Sequence, residues 1–270
     1  MTDLRYTAVE IRGAQIQIDN LTKLGRPVDP ILHDIAGAEN ATSEAGTNIS
    51  NASEYPLDKV VEVYFSTDVE SDGPIPGPYS MSSIGMVACS YRTKSNKLIR
   101  LDLDDPKNCF YAELKPISEK FSPEAAAVAG LDRAELIRNG TDPVEAMDVA
   151  NDTITTLTKS LGGFARPIFV GYPLGFDWMF TYWYLMNFAK DGSPFGHSGH
   201  IDIKSLYAEK AGVPVTGISK RRIPKELHSG RKHTHNALDD AREQGDLFNN
   251  ISLWSPKSKP SVLTEGFSQF

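Results

Sequence analysis

Apolar and polar positions alternate in two registers along this chain, first with a strand period and later with a helical one. The stretch "KVVEVYFSTDVE" (59–70) predicts a strand, and "YSMSSIGMVACSYRT" (79–93) alternates as a second. "KLIRLDL" and "NCFYAELKP" predict a third and a fourth, parted by the turn signal "DDPKN", so an antiparallel meander is expected. Helices come next. "SPEAAAVAGL" has Ser122 placed as an N-cap and ends near Gly130. "TDPVEAMDVANDTITTLTKSLGG" sets Met147, Ala150, Ile154, Leu157 and Leu161 on one face before Gly162 and Gly163 stop it. "RPIFVGY" reads as a short apolar strand leading into the aromatic helix "FDWMFTYWYLMNFA", and "HIDIKSLY" as a strand running into a helix. In the last helix, "NALDDAREQGDLF", Leu238, Ala241 and Phe248 form the apolar face. Strands first and then alternating helix and strand predict an α/β fold, a mixed sheet flanked by helices.

The periodicity begins only at residue 58. Before it, "GAENATSEAGTNISNASEYP" (37–56) is small and polar and reads as a flexible low-complexity linker within an N-terminal extension, 1–57. The expected division is that extension, a folded domain over 58–252, and a C-terminal tail over 253–270. Apolar residues make up 40% of the 270, enough for a packed core, and no window approaches about 18 apolar residues, so no membrane span is expected. The first residues lack a basic start followed by an apolar run, which argues against a secretory signal. Two cysteines, Cys89 and Cys109, fit neither a disulfide scaffold nor a cysteine-rich zinc site and favour a reducing cytoplasm. The net charge of −7 excludes a surface that coats duplex nucleic acid nonspecifically.

The chemistry gathers at three places. Asp68 and Glu70 end the first strand on one face, where like charges repel unless a cation compensates. Asp177 follows the strand "PIFVGY" and opens the aromatic helix. In "HTHNALDDA", Asn236 is placed as an N-cap, His235 stands just before the helix and Asp240 lies about a turn inside it. Taken singly, each is more often a solvated loop, a cap or polar surface. The run Asp68-Val-Glu-Ser-Asp-Gly73 also imitates an EF-hand start, but position twelve is Tyr79 and Pro74, Pro76 and Pro78 forbid the flanking helix.

The set and its order resemble the DEDDh (DnaQ-like) 3′→5′ exonucleases, the RNase H-like family of polymerase proofreading subunits, oligoribonuclease and RNase T. The resemblance spans about residues 60–250 and includes "FSPEAAAVAGLDRAEL" and "HIDIKSLYAEKAG". It implies that Asp68, Glu70, Asp177 and Asp240 hold two divalent cations, Mg²⁺ or Mn²⁺, and that His235 is the general base. The expected reaction hydrolyses the terminal phosphodiester to a nucleoside 5′-monophosphate. Many members carry His-Asn before the third acid; here Tyr172-Pro173 stands there. Asp72 has no counterpart in the motif and is left as a loop or supporting residue.

A basic run, "SKRRIPKELHSGRKHTH" (219–235), holds six Lys or Arg against one Glu and ends at His235, a position suited to phosphate contact. Candidate substrate contacts are Ser71, Phe176, Arg221, Arg222 and Lys232. The expected partner is a single-stranded 3′ end, with RNA or short oligonucleotides slightly favoured over DNA because the chain is acidic. A homodimer is implied by the resemblance alone. The alternative is a non-catalytic or partner-activated nucleic-acid-binding module on the same fold, with a regulatory or defence role.

Overall fold

The computed structural model describes residues 59–256 and a few positions between 15 and 37. The expected linker, and most of the expected N-terminal extension and C-terminal tail, lie outside the described residues.

The sheet has six strands: β1 (Val60–Ser71), β2 (Met81–Thr93), β3 (Leu98–Arg100), β4 (Cys109–Glu113), β5 (Arg166–Gly171) and β6 (His200–Asp202). Strand order is β3-β2-β1-β5-β6, with β4 also on β2. The β1–β2, β2–β3 and β2–β4 pairs are antiparallel, whereas β1–β5 and β5–β6 are parallel. The expected meander is therefore corrected. β3 and β4 do not succeed one another across the sheet. Both lie along β2, β3 beside Ser90–Arg92 and β4 beside Ser83–Val87. The long second strand gives both short ones an edge.

Within residues 59–256 the sheet is joined by six α-helices: α1 (Pro123–Ala129), α2 (Arg133–Asn139), α3 (Pro143–Leu161), α4 (Leu174–Phe188), α5 (Ile203–Ala211) and α6 (Ala237–Leu253). Ser122 caps α1, its Oγ accepting from Ala125 N at 3.2 Å, and Gly130 closes it in the left-handed region at φ 66°. Each face of the sheet buries its own core. Val63, Phe65 and Val69 of β1 pack with Met147, Ala150 and Ile154 of α3 and Phe180 and Tyr184 of α4. Tyr64 of β1 points the other way, into Ala241, Leu247, Phe248 and Ile251 of α6. Truncating a fully buried ring such as Phe65 or Phe180 to Ala costs about 3–5 kcal/mol at sites of this kind. No helix of the described residues is long and apolar enough to cross a membrane.

Candidate active site

The alternation of β1 that sends Phe65 and Val69 into one core sends Asp68 and Glu70 toward α6. Directly beside Asp68 in the sheet is Gly85 of β2. A Cβ at Gly85 would lie 2.2 Å from Leu238 N and from the Ala237 carbonyl carbon, so only glycine lets the start of α6 rest on the sheet. Asn236 caps that start, its Oδ1 accepting from Leu238 N at 3.1 Å and Asp239 N at 3.2 Å. Asp240, one turn further in and 1% exposed, is thereby brought to the carboxylates of β1. Asp68, Glu70 and Asp240 each offer an oxygen, and the three lie within 4.8 Å of one another. The fourth carboxylate comes from the first turn of α4, where Asp177 accepts from Val69 N at 3.2 Å through Oδ1. Asp202 fixes the start of α4 by accepting from Leu174 N at 3.0 Å.

Burial and mutual repulsion dominate the electrostatics. Burial, then the charges of Asp177, Glu70 and Asp240, push the Asp68 carboxyl well above the usual range. Burial likewise raises Asp177, against the Val69 hydrogen bond, and burial with the Asp240 charge raises Glu70 to about 7. One cation opposes this: Lys220 favours the charged forms of Asp68 and Asp177 from a distance, its Nζ being paired to Glu243 Oε2 at 2.8 Å. Asp68 takes a neutral side-chain donor from α6. Gln244 Nε2 donates to Asp68 Oδ1 at 2.6 Å, while Gln244 Oε1 is buried with no hydrogen-bond partner. Crowded hard oxygen donors, short of positive charge, fit a divalent cation, with Asp68, Glu70 and Asp240 as its holders.

His235 stands at the rim with φ 57°, a left-handed backbone uncommon outside glycine. That turn aims two successive amides at one carboxylate: Thr234 N and His235 N each donate to Asp240 at 3.0 Å. The structure adds His233, which sequence reasoning missed. Its Nδ1 lies 3.0 Å from Asp240 Oδ2 and 3.6 Å from Glu243 Oε2, and its ring centroid is 4.6 Å from that of His235. Gln244 and Lys220 were missed too. Gln244 sits four residues after Asp240 and so shares its helix face, a signal available in the sequence.

The candidate substrate contacts are dispersed. Ser71 is buried and donates to Gly73 O at 2.7 Å. Phe176 is 36% exposed and packs on Phe180 with ring centroids 5.0 Å apart. Arg222 donates to Gly217 O at 2.6 Å, Arg221 lines a cavity beside Lys220, and Lys232 is exposed. Asp72 stands apart from the carboxylate cluster. It accepts from Ser80 N at 2.6 Å and pairs with Arg133, clasping the β1–β2 connection to α2.

A mixed sheet with helices on both faces and acidic side chains gathered at the end of its first strand is the architecture of the RNase H-like 3′→5′ exonucleases. The chain belongs to the DEDDh (DnaQ-like) family within that class and is an enzyme of the phosphodiester-hydrolase type. It is 36% identical over 198 residues to 3′-5′ DNA exonuclease Cap18 of Escherichia coli, an alignment covering 73% of this chain and 96% of that protein. Among solved structures it is similar to product-bound exonuclease I, at TM-score 0.47 and 14% identity over 71% of this chain and 43% of that one. It is also similar to E. coli exonuclease I in complex with a dT13 oligonucleotide, at TM-score 0.46 and 14% identity over 71% of this chain and 41% of that one. The chain thus spans about two fifths of these solved proteins. No protein-family model matches it.

Proposed function

We propose that the chain removes nucleotides one at a time from single-stranded DNA 3′ ends, with Asp68, Glu70, Asp177 and Asp240 holding the metal and His235 as general base. The observation that carries this reading is the meeting of Asp68, Glu70 and Asp240 within 4.8 Å, from elements distant in sequence. DNA is the substrate that the relative's name gives. Net charge alone favours RNA, and the same assay decides between the two.

Two divalent ions, Mg²⁺ or Mn²⁺, would supply Lewis acidity at the attacking water and at the leaving 3′ oxygen. The chain's own part is to gather four carboxylates whose mutual repulsion a cation would offset; burial and that repulsion raise the carboxyls of Asp68, Glu70 and Asp177. His235 takes the proton of the attacking water on a ring nitrogen, phosphorus passes from the 3′ oxygen to the water oxygen, the freed 3′ oxygen of the shortened strand takes a proton from solvent, and a nucleoside 5′-monophosphate leaves. The left-handed backbone at His235 leaves its ring at the rim, open to an incoming phosphate. His233 favours a second reading of the base, because its ring and not that of His235 touches Asp240. Cys89 and Cys109, both buried and unpaired, support a cytoplasmic setting. The family's dimer is extended to this chain as a proposal that light scattering decides.

The test uses 5′-labelled DNA and RNA of one sequence, with Mg²⁺, Mn²⁺ or EDTA, for the wild type, Asp68→Asn, His235→Ala and His233→Ala. A metal-dependent ladder shortening from the 3′ end is expected, lost in Asp68→Asn and slowed about 10²–10⁴-fold in His235→Ala. The larger loss falling on His233→Ala transfers the base to His233. Binding without shortening by the folded wild type moves the reading to a non-catalytic or partner-activated module.

A further inference from the structure

Beside the carboxylates is a second concentration of charge, of opposite sign. A cavity of about 480 Å³ is lined by Tyr172, Pro173, Lys204, Ser219, Lys220 and Arg221, with Ile218 beneath. It therefore opens where Tyr172-Pro173 replaces the family's His-Asn. Its three cations come from two segments: Lys204 from the first turn of α5, and the neighbours Lys220 and Arg221 from the basic run. Lys220 is paired with Glu243 and lies 5.7 Å above the Tyr172 ring. Lys204 and Arg221 have no ion-pair or hydrogen-bond partner among the described residues. Burial, and then the charge of nearby Asp202, raise the Tyr172 hydroxyl, and Asp202 is already engaged by Leu174 N, Ser205 N and Ser205 Oγ. The Tyr172 hydroxyl is itself buried with no hydrogen-bond partner.

We propose that this cavity is a phosphate subsite, holding the phosphodiester of the bound strand that neighbours the scissile one. Lys220 is already paired with Glu243, but Lys204 and Arg221 face the same cavity without an anion from the described residues to offset their repulsion. The Tyr172 ring gives a base or sugar an apolar wall, so the site suits a nucleotide phosphate better than a bare anion. Lys220 belongs to both charge clusters, which sets the phosphate beside the acids rather than remote from them. The proposal rests on the exonuclease reading for its ligand. It gives Lys204 and Arg221 the roles of substrate-binding residues, and separates them from Arg222, whose guanidinium is taken by Gly217 O.

The experiment measures binding of a 5′-labelled single-stranded DNA octamer by anisotropy in EDTA, where turnover is absent, across a salt series. The full chain is compared with the double variant Lys204→Ala/Arg221→Ala and a charge-matched control, Lys159→Ala/Lys190→Ala, on the α3 side. The slope of log Kd against log salt should fall by about 1.4 in the first, about 0.7 per cation lost, and hold in the control. An unchanged slope overturns the subsite. A parallel arm competes the octamer with deoxyadenosine monophosphate. If the double variant keeps the strand's slope but loses competition by the free nucleotide, the cavity holds a released product, and the assignment to the strand is overturned. Asp68→Asn separates the two readings: continued shortening by that variant overturns the acidic centre, whatever the slope shows.

Discussion

At the scale of single residues, the side chain that most directly sets the acidic centre is one that does no chemistry. Gln244 donates to Asp68 Oδ1 at 2.6 Å, and so fixes which oxygen of that carboxylate faces its neighbours. Supporting hydrogen bonds of this kind are worth about 10–100-fold in metal affinity or activity. Gln244→Leu keeps the volume and removes the donor. The Mn²⁺ concentration giving half-maximal rate should rise by about that factor, with the rate recovered at saturating metal; a lower rate at saturation with unchanged half-saturation would contradict the role. Four acids and His235 stand near element ends, where strand alternation and caps can be read from the sequence, and the structure gathers Asp68, Glu70 and Asp240 of these within 4.8 Å. Gln244 shares the helix face of Asp240, which the sequence does show, but its hydrogen bond to Asp68, 176 positions away, does not follow from that spacing. His233 does not stand out in "HTH", and only the fold shows that ring nitrogens of both histidines lie within 4.8 Å of Asp240, that of His233 at 3.0 Å.

Among elements, the contact that assembles the site is α6 against the sheet. Its position depends on the missing side chain at Gly85, since a Cβ would collide with backbone and not with a flexible chain end. Gly245 repeats the device further along α6, where a Cβ would meet Cys89 Cβ at 2.9 Å. Gly85→Ala should push the start of α6 outward and cost about 1–3 kcal/mol. Because Asp240 rides on that turn, kcat should fall more than the lost folded fraction explains; urea unfolding and initial rates on one preparation check this. A variant as active per folded molecule as the wild type would separate α6 placement from catalysis. Helix limits followed from caps and from Gly130. Strand pairing did not, because alternation tells which residues share a face but not which strand lies alongside. Hence β3 and β4 were expected in a meander, and instead share the flank of β2.

For the whole molecule, the acidic centre is a fault in the metal-free fold that pH should expose. Asp68, Glu70 and Asp177 all have carboxyls raised by folding, Glu70 to about 7 from an ordinary value near 4.5. A raised carboxyl binds its proton more tightly in the folded than in the unfolded chain. Its contribution is therefore fully present below the unfolded pKa and is lost as pH rises through the folded one. In EDTA the melting temperature should fall from about pH 5 to about pH 8, with Glu70 setting much of that window. Asp104 does not obscure it: Arg231 holds that carboxyl below its usual value, so its loss falls at more acid pH. Saturating Mg²⁺ reverses the balance by favouring the ionised acids, and adds about 2.7 kcal/mol at a hundredfold excess over Kd. The difference in melting temperature with and without Mg²⁺ should widen as pH rises, and Asp68→Asn should reduce both the fall in EDTA and the rescue. A melting temperature that climbs across this window without metal would mean that the four carboxylates are already compensated by the chain, and that no cation is needed to hold them together.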